Sequence, residues 1–327
     1  MRYSAPEKLE IIRLVEESEL PVRRTLDELG INRSTFYNWY RQYAESGYEG
    51  LKPSPSPPRI HWNRIPDSVR QQVVETALEH TDKSPRELAV MVTDTQDYFI
   101  SESSVYRILR YHGLVTSPAY IVMSASDSFQ HPTRRVNELW QTDFTYFRVI
   151  GWGWYYLSTV LDDYSRYIIS WKLFKSMSAG DVKQTLDEAI ELTGVAQVKL
   201  RHRPRLLSDN GPCYVSVELK RYLRDQGMEH TRGAPYHPMT QGKVERYHRS
   251  MKNVVKLEHY YYPWDLEQAI GRFVEHYNHH RYHESLSNVT PADVYFGRDQ
   301  EILARRAKIK RQTMLQRRRE NQKLKVA

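Results

Sequence analysis

The stretch that decides the fold runs from Leu206 to Lys252: LLSDNGP (206–212), about one helix's length of chain, then APYHPMTQGKVERYHRSMK (234–252). It sets Asp209 and Glu245 with 35 residues between them, and a third carboxylate, Asp143, lies upstream in the strand-like LWQTDFTYFRV (139–149). Three acidic residues delivered by separate elements are what a site needs to hold two hard divalent cations against a phosphodiester. Magnesium takes oxygen ligands in near-octahedral geometry and keeps several waters, so two or three carboxylates anchor it. Two such ions about 4 Å apart serve the attacking and leaving oxygens of an in-line displacement.

The sequence from Gly242 to Leu257 reads as a helix with two distinct faces. Val244, Tyr247, Met251, Val254 and Val255 form an apolar stripe, while Gln241, Glu245, Arg249, Lys252 and Lys256 recur at three- and four-residue steps on a polar one. Glu245 thereby shares a face with cations one and two turns along, as a metal-ligating helix lying against a nucleic-acid backbone requires. Taken alone, such a pattern is more often a solvated face with Glu245 and Arg249 as an ordinary i,i+4 pair.

The context of the three acids changes that balance. Asp143 in WQTDFTY, Asp209 in SDNGP and Glu245 in GKVERYHRSMK resemble the aspartate, aspartate, glutamate signature of the retroviral-integrase-like catalytic core shared by bacterial insertion-sequence transposases. The resemblance extends to the 35-residue gap, to Asn210 and Gly211, to Pro235, Tyr236 and Pro238, and to Lys252. Downstream it includes Tyr277, Asn278, Arg281, His283, Leu286, Thr290, Pro291 and Tyr295, so that about half the chain is covered, from roughly Val136 to Gly297. It implies an α/β ribonuclease-H-like core in which Asp143, Asp209 and Glu245 hold two Mg2+ ions, with Mn2+ an acceptable substitute. It also implies phosphate contacts from Lys243, Arg249 and Lys252, and a shaping role for Asn210. The implied activity is that of a transposase that binds the terminal repeats of a mobile element, cuts its ends and joins them to target DNA. A DNA-binding regulator or catalytically inactive relic, and a hydrolytic nuclease of the same fold, are the alternatives.

Composition sets outer limits. A chain of 327 residues is long enough for two or three domains, and its 24 tyrosines and 7 tryptophans argue against global disorder. The single cysteine, Cys213, excludes an intramolecular disulfide and any cysteine-based zinc site, which fits a reducing cytoplasm, and the resemblance implies association with the nucleoid there. No apolar run approaches a membrane span, and Glu7, Glu10, Glu16 and Glu17 make the N-terminus unlike a secretory signal. From Arg298 onward there are eleven Lys/Arg and three Asp/Glu, so the net charge of +8 resides in a basic tail (298–327). That tail is either an arm for a polyanion or a solvated charge run.

Ahead of the core, two small all-α modules are expected. Residues 1–50 read as three short helices with Gly30 and Ile31 at the last turn and Asn32 or Ser34 as the following cap, the layout of a helix-turn-helix. Such a motif presents the start of its last helix to the major groove, which makes Arg33, Ser34, Thr35, Tyr37, Asn38 and Arg41 the candidate base contacts and puts Phe36, Trp39 and Tyr40 on the buried side. The Pro-rich LKPSPSPPRI (51–60) is a stiff linker. Residues 61–116 repeat the pattern, with a Ser84 cap before Pro85, and resemble the second helix-turn-helix or winged-helix module that precedes such cores; Ser103, Ser104, Arg107 and Arg110 are its candidate contacts. Residues 117–135 form a connector, and 136–297 the catalytic core. The partners implied are double-stranded DNA, both element ends and target, and further copies of this chain, since two ends must be joined; no membrane is involved.

Two features of the core are weighed as decoys. Asp162 and Asp163 sit between two strand-like runs, where turn chemistry explains them without catalysis. His276, His280 and His283 have a spacing that suits zinc, yet a packing role ranks above it, and the histidine and cysteine pairs of a retroviral integrase's N-terminal zinc module have no counterpart here.

Overall fold

The computed structural model describes residues 3–18, 20–52, 61–114, 133–197, 202–233, 242–256 and 258–326. Most of the Pro-rich linker, the connector from 115 to 132, and Pro235, Tyr236, Pro238 and Gln241 lie outside the described residues. Two compact units are present, one formed by Met1–Arg64 with Asn321–Ala327 and one by Ile65–Glu320.

In the first unit, α1 (Ala5–Glu17), α2 (Val22–Glu28) and α3 (Arg33–Leu51) close around Ile12, Leu26, Ile31 and Phe36. Gly30 takes φ +66°, a conformation costly for a residue with a Cβ, and so turns the chain between α2 and α3. Asn32 caps α3, its Oδ1 accepting from the Ser34 N–H (3.0 Å) and hydroxyl (2.7 Å). The helix is interrupted at Gly47, and the last turn brings Leu51 into the core, so Leu51 ends the module rather than beginning a linker. Tyr40 also departs from expectation: it is exposed, stacked on Phe36 at 5.8 Å, whereas Phe36 is buried and Trp39 half-buried.

The second unit begins with α4 (Asp67–Glu79), α5 (Pro85–Gln96) and α6 (Glu102–Tyr111), packed through Val73, Leu88, Val92, Val105 and Leu109. Ser84 accepts from the Glu87 N–H and Glu87 reaches back to the Ser84 N–H, a capping box that starts α5. The five-stranded sheet follows: β1 (Leu139–Val149), β2 (Gly153–Asp162), β3 (Ile168–Phe174), β4 (Arg205–Ser208) and β5 (His230–Arg232), in the order β3-β2-β1-β4-β5. The first three strands are antiparallel, and β4 and β5 join β1 in parallel. This is the ribonuclease-H-like mixed sheet, and helices pack on both of its faces.

One face carries α7 (Ala179–Thr193), with α8 (Pro212–Val215) and α9 (Val217–Asp225), around Trp140, Val160, Leu186 and Leu206. The other carries α10 (Gly242–Val255) and α11 (Pro263–His279) around Phe147, Leu157, Met251 and Ile270. Val244, Tyr247, Met251 and Val255 of α10 are at most 2% exposed, each burial being worth roughly 1.5–3 kcal/mol. Val254, expected on the same stripe, is exposed, because Val255 already occupies that turn's inward position.

After α12 (Pro291–Tyr295), the basic tail forms one long helix, α13 (Asp299–Val326). Its arginines are in part structural, which corrects the reading of the tail as an arm or a solvated run. Arg306 pairs with both oxygens of Asp94 (2.7 and 2.6 Å), and Arg317, 3% exposed, donates to the Tyr98 hydroxyl and the Phe99 carbonyl. Arg86 reaches Asn288 and the Tyr282 carbonyl, so α4–α6 belong to the same compact unit as the sheet instead of hanging from a connector. Replacing Asp94 by Ala leaves the Arg306 guanidinium half-buried without its carboxylate. A loss of about 2 kcal/mol is expected, read as a lower Tm in calorimetry.

Candidate active site

The parallel pairing of β1 with β4 brings the first two acids together. Leu139, Trp140 and Gln141 pair with Arg205, Leu206 and Leu207, and the same offset carried two residues further puts Asp143 level with Asp209, just past the carboxyl end of β4. That end of a parallel pair is where α/β folds place ligands. Asn210 ties this loop to the end of β5, its amide donating to the Gly233 carbonyl at 2.8 Å. Gly211 donates its N–H to Asp209 Oδ1 at 2.9 Å, and a Cβ at that position would lie 3.0 Å from the same oxygen. The glycine of SDNGP thus keeps space open beside the carboxylate.

Glu245 arrives from the other side of β1, and a buried polar cluster sets where its helix begins. The Gln141 side chain donates to Asp163 Oδ1 (2.7 Å) and accepts from the Val244 N–H (3.1 Å). Lys243 Nζ meets Asp163 Oδ2 at 2.6 Å and the Asp163 carbonyl at 2.9 Å. Gln141 and Asp163 are 0% and 2% exposed, so these bonds operate away from water and hold the first turn of α10 against β1 and the turn after β2. Lys243 is therefore committed to Asp163, not offered to phosphate as expected. Asp162 is a turn residue, its oxygens taken by Asn137 N–H, Ser165 N–H and the Ser165 hydroxyl, while Asp163 does more than shape the turn.

The electrostatics centre on Asp143. Burial raises the Asp209 and Glu245 carboxyls above their usual range, and in both the negative charge of Asp143 adds to the effect, against the Gly211 N–H for Asp209 and Arg249 for Glu245. Asp143 is half-buried, and Asp209 and Glu245 are exposed. Among the described residues, no group of three His, Cys, Asp or Glu side chains is gathered around one point for a metal ion. Asp143 accepts instead from its neighbour's Phe144 N–H (2.8 Å) and faces His248 Nδ1 at 3.3 Å.

His248 is the residue that sequence reading missed. It is 5% exposed, and its Nε2 has no hydrogen-bond partner among the described residues. The signal for it was its position three residues after Glu245, which puts both on one side of the helix.

The remaining expected contacts fall on two kinds of surface. Arg249 is exposed on α10, and Lys252 is half-buried with its ammonium over the Tyr146 ring at 4.8 Å. In the first module Arg33, Ser34, Tyr37, Asn38 and Arg41 are exposed and Thr35 is half-buried; in the second, Ser103, Arg107 and Arg110 are exposed and Ser104 is half-buried. The histidines of the zinc decoy are dispersed among other partners: His276 Nε2 lies 3.3 Å from Lys83 Nζ, and His283 packs on Tyr277. Burial and the surrounding Arg281, Arg166, Arg86 and Arg246 push His283 down to about 3, so it stays neutral at physiological pH.

Known families match most of this chain in successive segments. Integrase core domains match residues 133–238 and 226–291, and homeodomain-like domains match residues 2–52 and 35–109. The chain carries an integrase core behind homeodomain-like modules. The putative transposase of insertion sequence element IS986/IS6110 from Mycobacterium tuberculosis (strain ATCC 25177 / H37Ra) is 28% identical over 169 residues, covering 48% of this chain and 57% of the relative. The Gag-Pro-Pol polyprotein of sheep pulmonary adenomatosis virus is 32% identical over 119 residues, 36% of this chain and 6% of the polyprotein. The chain thus matches little more than half the length of these transposases. The integrase catalytic core domain of HTLV-2, solved in complex with magnesium, aligns with 49% of this chain and 97% of its own at 22% identity and a TM-score of 0.38.

The clamp on α10 separates two roles for Lys243. Lys243→Met leaves the buried Asp163 carboxylate without its cation, held by the Gln141 amide and the Thr133 hydroxyl, and is expected to cost about 3 kcal/mol of stability. Affinity for random-sequence duplex should not change. Chemical denaturation and filter binding together check this, and a weakened affinity without lost stability would restore the phosphate role.

Proposed function

We propose that this protein is the transposase of an insertion sequence, acting as a polynucleotidyl transferase on DNA. The observation that carries the reading is Asp143, set level with Asp209 by strand register and within charge reach of Glu245, in a chain that matches integrase core domains and, ahead of them, homeodomain-like domains.

Asp143, Asp209 and Glu245 would hold the divalent cations, two Mg2+ with Mn2+ able to replace them. The donor set fits a hard cation in kind and in charge: all three donors are carboxylates, and their mutual repulsion is what a cation relieves. Holding it would exchange the Asp143 contacts to Phe144 N–H and His248, and the Asp209 contact to Gly211 N–H, for metal–oxygen ones. When bound, the metal supplies Lewis-acid activation of the phosphodiester and of the attacking oxygen. Water attacks first and frees a 3′-hydroxyl; that hydroxyl then attacks a target phosphodiester, so one such bond replaces another and no covalent protein intermediate is needed.

The chain's own residues bind and orient the DNA. Arg249 and Lys252 would meet phosphates beside the cut, Asn210 would brace the loop bearing Asp209, and the starts of α3 and α6 would each read bases of the terminal repeats. Because two ends must be processed together, the working form is a homo-oligomer on DNA, in the cytoplasm and associated with the nucleoid. None of the helices among the described residues is long and apolar enough to cross a membrane.

The test incubates the purified protein with magnesium and labelled duplexes from the borders of its own gene, beside Glu245→Gln, and sequences the products. Joined strands are expected with the intact protein only, with end binding retained in the variant. Cleavage without joining would make it a hydrolytic nuclease, and binding without cleavage a regulator or relic. Full activity in Glu245→Gln would overturn the carboxylate assignment.

A further inference from the structure

The hairpin of β1 and β2 carries an exposed aromatic surface further along the strand that bears Asp143. Register pairs Tyr146 with Tyr156 and Arg148 with Trp154, so these four side chains share one face of the sheet. The strands run well past β4, which pairs with β1 only at Leu139, Trp140 and Gln141. Towards the turn, Tyr146 and Trp154 are each 50% exposed and Trp152 is 47% exposed. Large aromatic side chains left this open on a hairpin mark a binding surface more often than an accident of packing.

These aromatics are organised, and cations lie against them. The rings of Tyr146 and Trp154 meet edge to face, 5.4 Å between centroids. Lys252 comes from α10, on the opposite side of the sheet, and holds its ammonium 4.8 Å from the Tyr146 ring. Lys175 stands 5.4 Å from the Trp152 ring at the turn, and Arg148, exposed, pairs in register with Trp154. Asp143 lies three residues before Tyr146 on β1, on the opposite face, and its charge reaches Lys252, so that lysine links the shelf to one of the carboxylates.

We propose that Tyr146 and Trp154, flanked by Lys252 and Arg148, bind an unpaired nucleotide of the DNA strand being processed, its base stacked on the aromatic shelf and its phosphate on the cations. This deepens the transposase reading and rests on it. Aromatic faces paired with cations complement a nucleotide in both parts, and only an unstacked base exposes the face that such a shelf needs. The shelf thereby favours a strand whose end has been splayed from its complement.

Two duplexes of one sequence test this, one blunt and one with a few unpaired nucleotides at a 3′ end, with EDTA present so that no strand is cut. The intact protein should prefer the frayed duplex by about tenfold, the contribution of one base–aromatic stack. Tyr146→Ala/Trp154→Ala should bind both alike, and Trp154→Phe should keep the preference. An iodouracil placed in the frayed end should photocross-link to Tyr146 or Trp154. Equal binding of the two duplexes by the intact protein, or a preference that survives in the double variant, refutes the shelf alone. Failure to bind either duplex refutes the DNA reading and the shelf with it. Dissociation of an assembly by Trp154→Ala in sedimentation, without a change in the preference, would give the surface to a second copy of this chain instead.

Discussion

Asp163 is the residue on which the candidate site depends. Its carboxylate is buried, accepts from Gln141 on the central strand and carries the Lys243 ammonium from the first turn of α10. A buried carboxylate needs its partners, since leaving one uncompensated costs several kcal/mol. Because those partners come from β1 and α10, satisfying Asp163 also sets the register between them. Glu245, two residues after Lys243, is consequently delivered to Asp143 by a polar clamp, while Tyr247 and Met251 supply the bulk of the burial beneath it.

Much of the architecture was legible because local rules and the global fold agree. The alternation of LWQTDFTYFRV, the cap before Pro85, Gly30 at a turn and the apolar stripe of α10 each emerge as the elements they predict. The exceptions share one cause: a pattern along the sequence does not show what a side chain meets across the fold. Lys243 and Arg306 look like free cations until Asp163 and Asp94 are brought to them. Asp163 looks like its neighbour Asp162, yet one closes a turn and the other joins three elements. His248 is hidden for the same reason, since its meaning comes from Asp143 on another element.

The long helix α13 extends that lesson to the scale of domains. Composition placed the chain's excess positive charge in a tail, which reads equally as an arm for a polyanion or as a solvated charge run. In the folded unit, Arg306 and Arg317 secure residues 94–99, which lead from α5 into α6. The module of α4–α6 is thereby built into the body that carries the three acids, so its spacing from them is a property of the fold and not of a connector.

Amide hydrogen exchange at Val244 tests the clamp most directly. The first N–H groups of a helix lack acceptors within it and ordinarily exchange fast, but the Val244 N–H donates to the buried Gln141 side chain at 3.1 Å. The account predicts a slow Val244 amide beside a faster one at Lys243, with protection lost in Gln141→Leu. An amide that exchanges as freely as its neighbours in the intact protein would contradict it.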